Sequence, residues 1–478
     1  MDISLSKITQ TANLKKEEQQ TYLYAVILMG LFTFLFLGAE YLFVDVLSRM
    51  VSEDKTVLTQ NYALGASTAG FMLYPLFSGF CRNRLYTLCF IVTGLMSILS
   101  IAFLCSGAVY PAIFPAGLVL FLLLGFFGSS VFYASVCMMK TDNYLARTVG
   151  ISYALGILLQ FVSNNLFHSK MTEAVLLSLC LLLLVGLLIK CHPASCKPDE
   201  IQEPASGEEH KKNGKGTAIC ILLLLLVMLM TCIFSTLDNA VTLVHSGGGM
   251  DIGQWPRILL ALSGMAAGFI FDIKKRKYMG IVMYCVMVLS TLCIAVLKFA
   301  GPFLVGLLVF YLSAGFFAVF FTASFMEISR HMKVPELWAG MGRAVNNITA
   351  AIIAHPVLAL LSSDRSLAAI VIVLVLFVTV SIIAVVYTFQ KKAFLEQSVK
   401  AATETMSKKE KLYRFSEVFS FTERETEVLA CLVDTEDNIQ TIAENLHLSR
   451  RTLERHLSSI YEKTGVKSRI GLLNLYNK

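Results

Sequence analysis

Arg451, Glu454, Arg455 and Ser458 follow one another at intervals of three, one and three residues, while Leu453, Leu457 and Ile460 recur between them. A helix with that pattern buries one apolar stripe and presents guanidinium, carboxylate and hydroxyl groups on its other face. Guanidinium forks take phosphate oxygens or guanine edges, and a Glu can accept from cytosine N4, so the implied chemistry is recognition of double-stranded DNA in its major groove. Arg450, Thr452, Lys463 and Lys467 flank this face and are candidates for the same contacts.

A second set of polar residues lies in apolar surroundings. Glu40, Asp238, Asn239, Arg343 and Asn346 fall in or near runs otherwise almost free of charge. An ionisable group at membrane depth costs about 2.5–3.5 kcal/mol even on the lenient insertion scale, so each asks for an explanation. The functional explanation is a ligand or proton site, for which the neighbouring Tyr41, Phe43 and Phe234 would suit an apolar or cationic small molecule. Hydrogen bonds between packed helices are the alternative for single residues such as Asn164, Asn165 or Asn347. Arg257 and His355 add further polarity. Cys191-His192 with Cys196 and His210 matches no zinc signature, and the other cysteines sit mostly inside apolar runs without disulfide spacing. No metal, cofactor or catalytic constellation is expected, and the protein does not read as an enzyme.

The elements that position these residues follow from composition. The chain has 478 residues, 56% hydrophobic and only 15% charged, with a mean hydropathy of +0.68, which excludes a soluble globular protein. Apolar runs of roughly 20 residues recur about twelve times between Tyr22 and Phe389, each long enough to cross a hydrocarbon core as a helix. Six run from Tyr22 to Leu47, Leu58 to Phe80, Leu85 to Gly107, Ile113 to Met139, Tyr144 to Phe167 and Thr172 to Leu188. Six more run from Thr217 to Val244, Trp255 to Phe271, Tyr278 to Lys298, Phe303 to Met326, Leu337 to Leu361 and Leu367 to Phe389. The expected organisation is a polar tail over 1–21, a membrane half over 22–190, a Pro- and Lys-rich loop over 191–216 and a second half over 217–389. A helical linker over 390–415 and a polar domain over 416–478 complete it. The polar Met1–Gln20 stretch is no secretory signal, so the first helix is retained.

Orientation follows from basic residues. One alternate set of loops holds Lys15, Lys16, Arg82, Arg84, Lys140, Arg147, the central-loop lysines, Lys274 to Lys277, Arg330, Lys333, Lys391 and Lys392, while the other is sparse. Basic residues near helix ends are retained in the cytoplasm, so both termini are expected there.

The halves echo each other. Ala63-Leu64 and Ala69-Gly70-Phe71 recur as Ala261-Leu262 and Ala267-Gly268-Phe269, and at the same offset Glu40 meets Asp238. Gly125-Phe126-Phe127 pairs with Gly315-Phe316-Phe317, and Arg147-x-Val149 with Arg343-x-Val345. A parallel duplication of six helices explains the common order. With its loop Gly268-Phe-Ile-Phe-Asp272-Ile-Lys-Lys275-Arg276-Lys277, the membrane part resembles the major facilitator superfamily. The resemblance implies a six-plus-six bundle whose loop latches alternating access. Lys275 stands at the family's second glycine and Ile273 at its first basic position, and in the first half Tyr74 replaces the aspartate. These three departures weaken the expectation of a full transport cycle.

The last segment reads as four helices. Thr422-Glu-Arg-Glu425 is a capping box, Asn438 caps a short helix with Ile442, Ala443 and Leu446 inward, and Ser449 caps the third after the His447-Leu448 turn. This is helix-turn-helix spacing. A fourth helix offers Ile470, Leu472, Leu473 and Leu475 for a dimer contact. Phe421-Thr-x-Arg-Glu-x-Glu-Val-Leu429, Ile442-Ala-x-x-Leu446, Leu448-Ser-x-x-Thr452-Leu-x-x-His456 and Ile460-x-x-Lys463-Thr-Gly-Val466-x-x-Arg469 closely resemble the LuxR-type (GerE-like) DNA-binding domain. That resemblance implies a four-helix domain that binds promoter DNA as a dimer. Glu454 stands where the family is usually basic, which implies altered specificity. From Ser416 to Lys478 there are 8 Lys and Arg against 10 Asp and Glu, so the domain is slightly acidic and its basic residues cluster between Arg450 and Arg469.

The expectation is therefore an all-α, twelve-helix membrane bundle with a 6+6 pseudo-repeat, followed by a small helix-turn-helix domain. It reads as a bacterial inner-membrane transcriptional regulator that senses a small-molecule ligand, binds promoter DNA as a homodimer and meets RNA polymerase. An active secondary transporter with an attached regulatory domain is the alternative.

Overall fold

The computed structural model describes residues 2–80, 83–139, 143–167, 169–191, 209–246, 255–298, 303–361, 366–435 and 437–477. Every regular element in them is a helix. Contacts divide the chain into one unit over Met1–Phe389 and another over Gln390–Lys478.

The first unit contains α1 (Asp2–Ser48), α2 (Glu53–Phe80), α3 (Asn83–Leu104), α4 (Tyr110–Met138), α5 (Leu145–Leu166) and α6 (Lys170–Lys190). It continues through α7 (Glu209–Ser246), α8 (Pro256–Phe271), α9 (Met279–Lys298), α10 (Phe303–Ser329), α11 (Pro335–Leu361) and the start of α12 (Ser366–Val418). Proline opens or nearly opens α4, α8 and α11, where its missing N–H leaves no helical bond unmade. Hydroxyls buried in the bundle bond back to their own helices, as Thr33 Oγ1 does to the Met29 carbonyl at 2.8 Å and Ser135 Oγ to that of Val131 at 2.8 Å. Each of these two donors is thereby paired within its own helix.

Among the described residues nine helices are long and apolar enough to cross a membrane, and Pro256–Phe271 and Met279–Leu292 are shorter apolar helices. Helix α2 is not one of the nine; it carries Gln60, Asn61, Ser67 and Thr68, all buried. Two elements are longer than the sequence suggests. The helix α1 continues back through the polar tail to Asp2, and α7 begins at Glu209 inside the expected loop. Arg82, Lys140, His192, Cys196, Lys197 and Arg365 lie outside the described residues.

Packing within this unit is tightest where glycines meet. A Cβ at Gly125 of α4 would stand 2.0 Å from the Ser67 carbonyl of α2, and one at Gly315 of α10 would stand 1.9 Å from Ser263 Oγ of α8. The two glycines paired by the sequence repeat thus mark corresponding crossings in the two halves. Between halves, α2 packs along α11 and α5 along α8, joined by Asn347 Nδ2 donating to Ser67 Oγ at 2.8 Å and Thr68 Oγ1 to the Ala344 carbonyl at 3.0 Å. Helices α3, α6 and α12 are more peripheral, with Leu88, Leu95, Leu179, Val375 and Ile382 facing outward.

The second unit holds the end of α12, α13 (Glu423–Asp434), α14 (Ile439–Asn445), α15 (Arg450–Thr464) and α16 (Arg469–Asn477). Val428, Leu429, Leu432, Ile442, Ala443, Leu453, Leu457, Ile460 and Leu472 form its core, and Leu412 and Phe415 of α12 pack against it. The caps are formed as the sequence suggests. Thr422 and Glu425 make the capping box, Asn438 accepts from the Thr441 amide, Ser449 from that of Thr452, and Gly465 ends α15 at φ +71°. His447 holds φ +52° in the turn between α14 and α15. Ile470 is 73% exposed, while Leu472 on the same helix is fully buried.

Candidate functional site

In the first unit, seven helices converge on a cavity of about 170 Å3. Glu40 reaches it from α1, Gln60 and Asn61 from α2, Tyr153 from α5, Asp238 and His245 from α7, Arg257 from α8, and Arg343 and Asn346 from α11. Gln60 Nε2 donates to Glu40 Oε1 at 2.6 Å. The Arg343 guanidinium carbon lies over the rings of Phe36 and Phe321, 5.4 and 5.7 Å from their centroids, within cation–π range of both. Phe234 and Phe317 stack at 4.4 Å to form an apolar wall. Thr231 Oγ1 donates to Asn346 Oδ1 at 3.2 Å.

Of the five residues singled out in the sequence, Glu40, Asp238, Arg343 and Asn346 line this cavity. Asn239 lies outside the lining, its Oδ1 taken by Asn61 Nδ2 at 3.0 Å. Asn165 bonds its own helix at the Phe161 carbonyl. Gln60 and Asn61 went unmarked, although their place in a spanning run is the signal that could have found them. Tyr153 carries no such signal.

A turn at one end of α8 joins the two halves. Asp272 caps the start of α5, accepting from the Arg147 amide at 2.7 Å and the Ala146 amide at 3.2 Å. Arg276, 6% exposed, bridges Asp272 at 3.3 Å and Glu327 of α10 at 3.0 Å. An aspartate at a helix N-terminus meets both orphan amides and the positive end of the helix dipole. Lys275, at the position of the family's glycine, holds φ +55°, with Lys274 and Arg276 beside it at +48° and +62°. The turn therefore forms without the glycine, in the left-handed region that a side chain disfavours. At Tyr74, where the first half lacks the aspartate, the ring is fully buried against Phe90 and Phe126.

In the second unit α15 turns Leu453, Leu457 and Ile460 into the core and leaves Arg451, Glu454, Arg455 and Ser458 exposed on one side. Arg450 donates to Glu454 Oε1 at 2.9 Å, with both side chains largely in solvent. Thr452 belongs to the helix cap, its hydroxyl 2.7 Å from Ser449 Oγ. Lys467 is exposed just beyond the helix. Lys463, exposed at the surface, turns its ammonium to Glu425, donating to Oε2 at 2.6 Å and to the Ser420 carbonyl at 3.0 Å. Burial alone would raise the Glu425 carboxyl, but Lys463, Ser459 and the amide and hydroxyl of Thr422 outweigh it and hold the group at about 2. Arg469 donates to the carbonyls of Asp437, Leu432 and Thr435, fixing the loop between α13 and α14.

A bundle of apolar helices around a polar cavity and a helix-turn-helix whose second helix leaves one face exposed define a multi-pass membrane protein that carries a DNA-binding regulatory domain. Residues 419–475 match the family "Bacterial regulatory proteins, luxR family". The membrane unit is similar in fold to the human organic anion transporter MFSD10 (TETRAN), at TM-score 0.51 and 14% identity, over 79% of this chain and 99% of that one. It is likewise similar to a bacterial homologue of the iron transporter ferroportin in its outward-facing state, at TM-score 0.53 and 14% identity over the same shares. No curated protein sequence matches the chain. At such identities the likeness concerns the fold alone.

Proposed function

We propose that the protein is a ligand-sensing transcriptional regulator of the bacterial inner membrane, with both termini cytoplasmic, that binds promoter DNA through residues 416–478. The observation that carries this reading is the exposed face of α15 on a LuxR-type domain, in the same chain as a facilitator-type cavity lined by charge. Arg451, Arg455 and Lys467 are placed to take phosphates or guanine edges, and Glu454 can select cytosine once it leaves Arg450. Lys463 reaches DNA only by leaving Glu425. The domain works as a homodimer, and RNA polymerase is its further partner at the promoter. A ligand bound between the halves favours one rocking state of the bundle, and the output is a shift in how two DNA-binding domains pair. A gel shift with residues 407–478 on DNA upstream of the gene tests the DNA contact. The Arg451→Ala, Arg455→Ala double variant should bind at least about tenfold more weakly, from about 1–3 kcal/mol per lost bidentate contact. Equal binding by the two would remove the groove assignment.

The Asp272 cap on α5 favours a second reading, active transport with the DNA-binding domain controlling expression, because that latch is formed. Uptake into proteoliposomes driven by a proton gradient decides between the two, since sustained movement of a substrate would exclude a pure sensor.

A further inference from the structure

The cavity contains two guanidiniums and two carboxylates that are unequally satisfied. Glu40 is hydrogen-bonded by Gln60. Asp238 lines the cavity with no hydrogen-bond donor to it among the described residues. Arg257, 9% exposed, and Arg343 each keep a buried Nε without a hydrogen-bond partner in the described residues. Phe36 and Phe321 give the Arg343 guanidinium cation–π contacts but no acceptor, so its Nε edge is the part left for a partner. Unpaired guanidiniums in a low-dielectric interior are costly, and the edge of one is the shape that a carboxylate matches with two parallel hydrogen bonds. The cavity charges balance, two guanidiniums against Glu40 and Asp238, so the guest is set by hydrogen bonding: paired acceptors for the two open guanidinium edges and a donor for Asp238.

We propose that this cavity binds a small organic carboxylate, its carboxylate on Arg343 and Arg257 and a hydrogen-bond donor at its other end on Asp238. The volume, about 170 Å3, is close to that of the roughly 150 Å3 cavity that accommodates a benzene ring. A guest of one ring or an equivalent short chain therefore fills it. The stacked pair of Phe234 and Phe317 supplies the apolar wall for its body. This inference rests on the ligand-sensing reading of the same cavity and specifies its ligand class.

The test uses the full chain in lipid nanodiscs. Thermal unfolding is followed with benzoate, 4-hydroxybenzoate, 4-hydroxyphenylacetate and succinate at millimolar concentration, each beside its amide, and with tyramine and inorganic phosphate. At least one carboxylate should raise the Tm where its amide does not, and 4-hydroxybenzoate should exceed benzoate. Arg343→Gln and Arg257→Gln should each weaken that binding at least about tenfold. Arg343→Lys, which keeps the charge and loses the fork, should weaken it in a protein whose ligand-free Tm is retained. The inference is overturned if amides match their acids, if tyramine or phosphate alone binds, or if no carboxylate shifts the wild type. Carboxylate binding that leaves DNA binding by the full chain unchanged would keep this inference and sink the sensing reading. A transcriptional response to a cation, with no carboxylate binding, would do the reverse.

Discussion

Glu425 carries much of the geometry of the helix that follows the turn. Its carboxylate is 4% exposed and ties Thr422 at the start of α13 to Ser459 and Lys463 near the end of α15. Its folded-state pKa, about 2, lies below the ordinary 4.5, so the charged form is the stabilised one. The stability it contributes is present above about pH 4.5 and is lost as the pH falls toward 2. Glu425→Gln should cost about 1–3 kcal/mol at neutral pH. In urea unfolding of residues 407–478, the gap between variant and wild type should close as the pH approaches 2, and a gap unchanged there would contradict the clamp. The Thr422-x-x-Glu425 half of this arrangement was legible as a capping box. Its lysine half was not, because Lys463 lies 38 residues away on a face that reads as solvated and basic.

At the level of helices, close approach depends on glycines, and only some announced themselves. Gly125 and Gly315 stood out because the two halves repeat, and both prove to lie at tight crossings. Gly150 had no repeat to mark it. A Cβ there would stand 2.6 Å from the Gly264 carbonyl oxygen and 2.7 Å from Gly268 Cα, both backbone atoms that no rotamer change can move. Gly150→Ala must therefore part α5 from α8, at an overpacking cost of about 1–3 kcal/mol. The purified protein should show a lowered Tm and greater labelling of a cysteine placed at Ala146. Gly186→Ala on α6 is the matched control, because nothing lies within 4 Å of its added methyl. If both variants melt alike, the α5–α8 crossing is not the constraint that its backbone contacts make it.

Across the whole molecule, composition made the membrane unit legible and motif spacing did the same for the DNA-binding domain. What composition could not reach were contacts that cross the chain, such as Asn61 on Asn239 or Asp272 on the start of α5, 178 and 126 residues apart in sequence. The latter contact offers a test of whether the bundle switches at all. Asp272 is the acceptor that holds α8 to the amides of Ala146 and Arg147 and, through Arg276, to Glu327. Asp272→Asn keeps the shape but loses the charge that favours the α5 N-terminus, and its amide can accept through one oxygen where the carboxylate used two. Neither the cavity nor the DNA-binding domain is touched by the change. If the bundle is a two-state device, the closed arrangement at that end loses about 1–3 kcal/mol, a shift of about five- to 150-fold between states. A regulator should then give constitutive or silent output from a promoter reporter without ligand, and Glu40→Gln with Asp238→Asn should change the ligand response instead. A membrane unit that serves only as an anchor predicts unaltered reporter output from all three changes at wild-type protein levels, and that outcome would leave the cavity without a regulatory role.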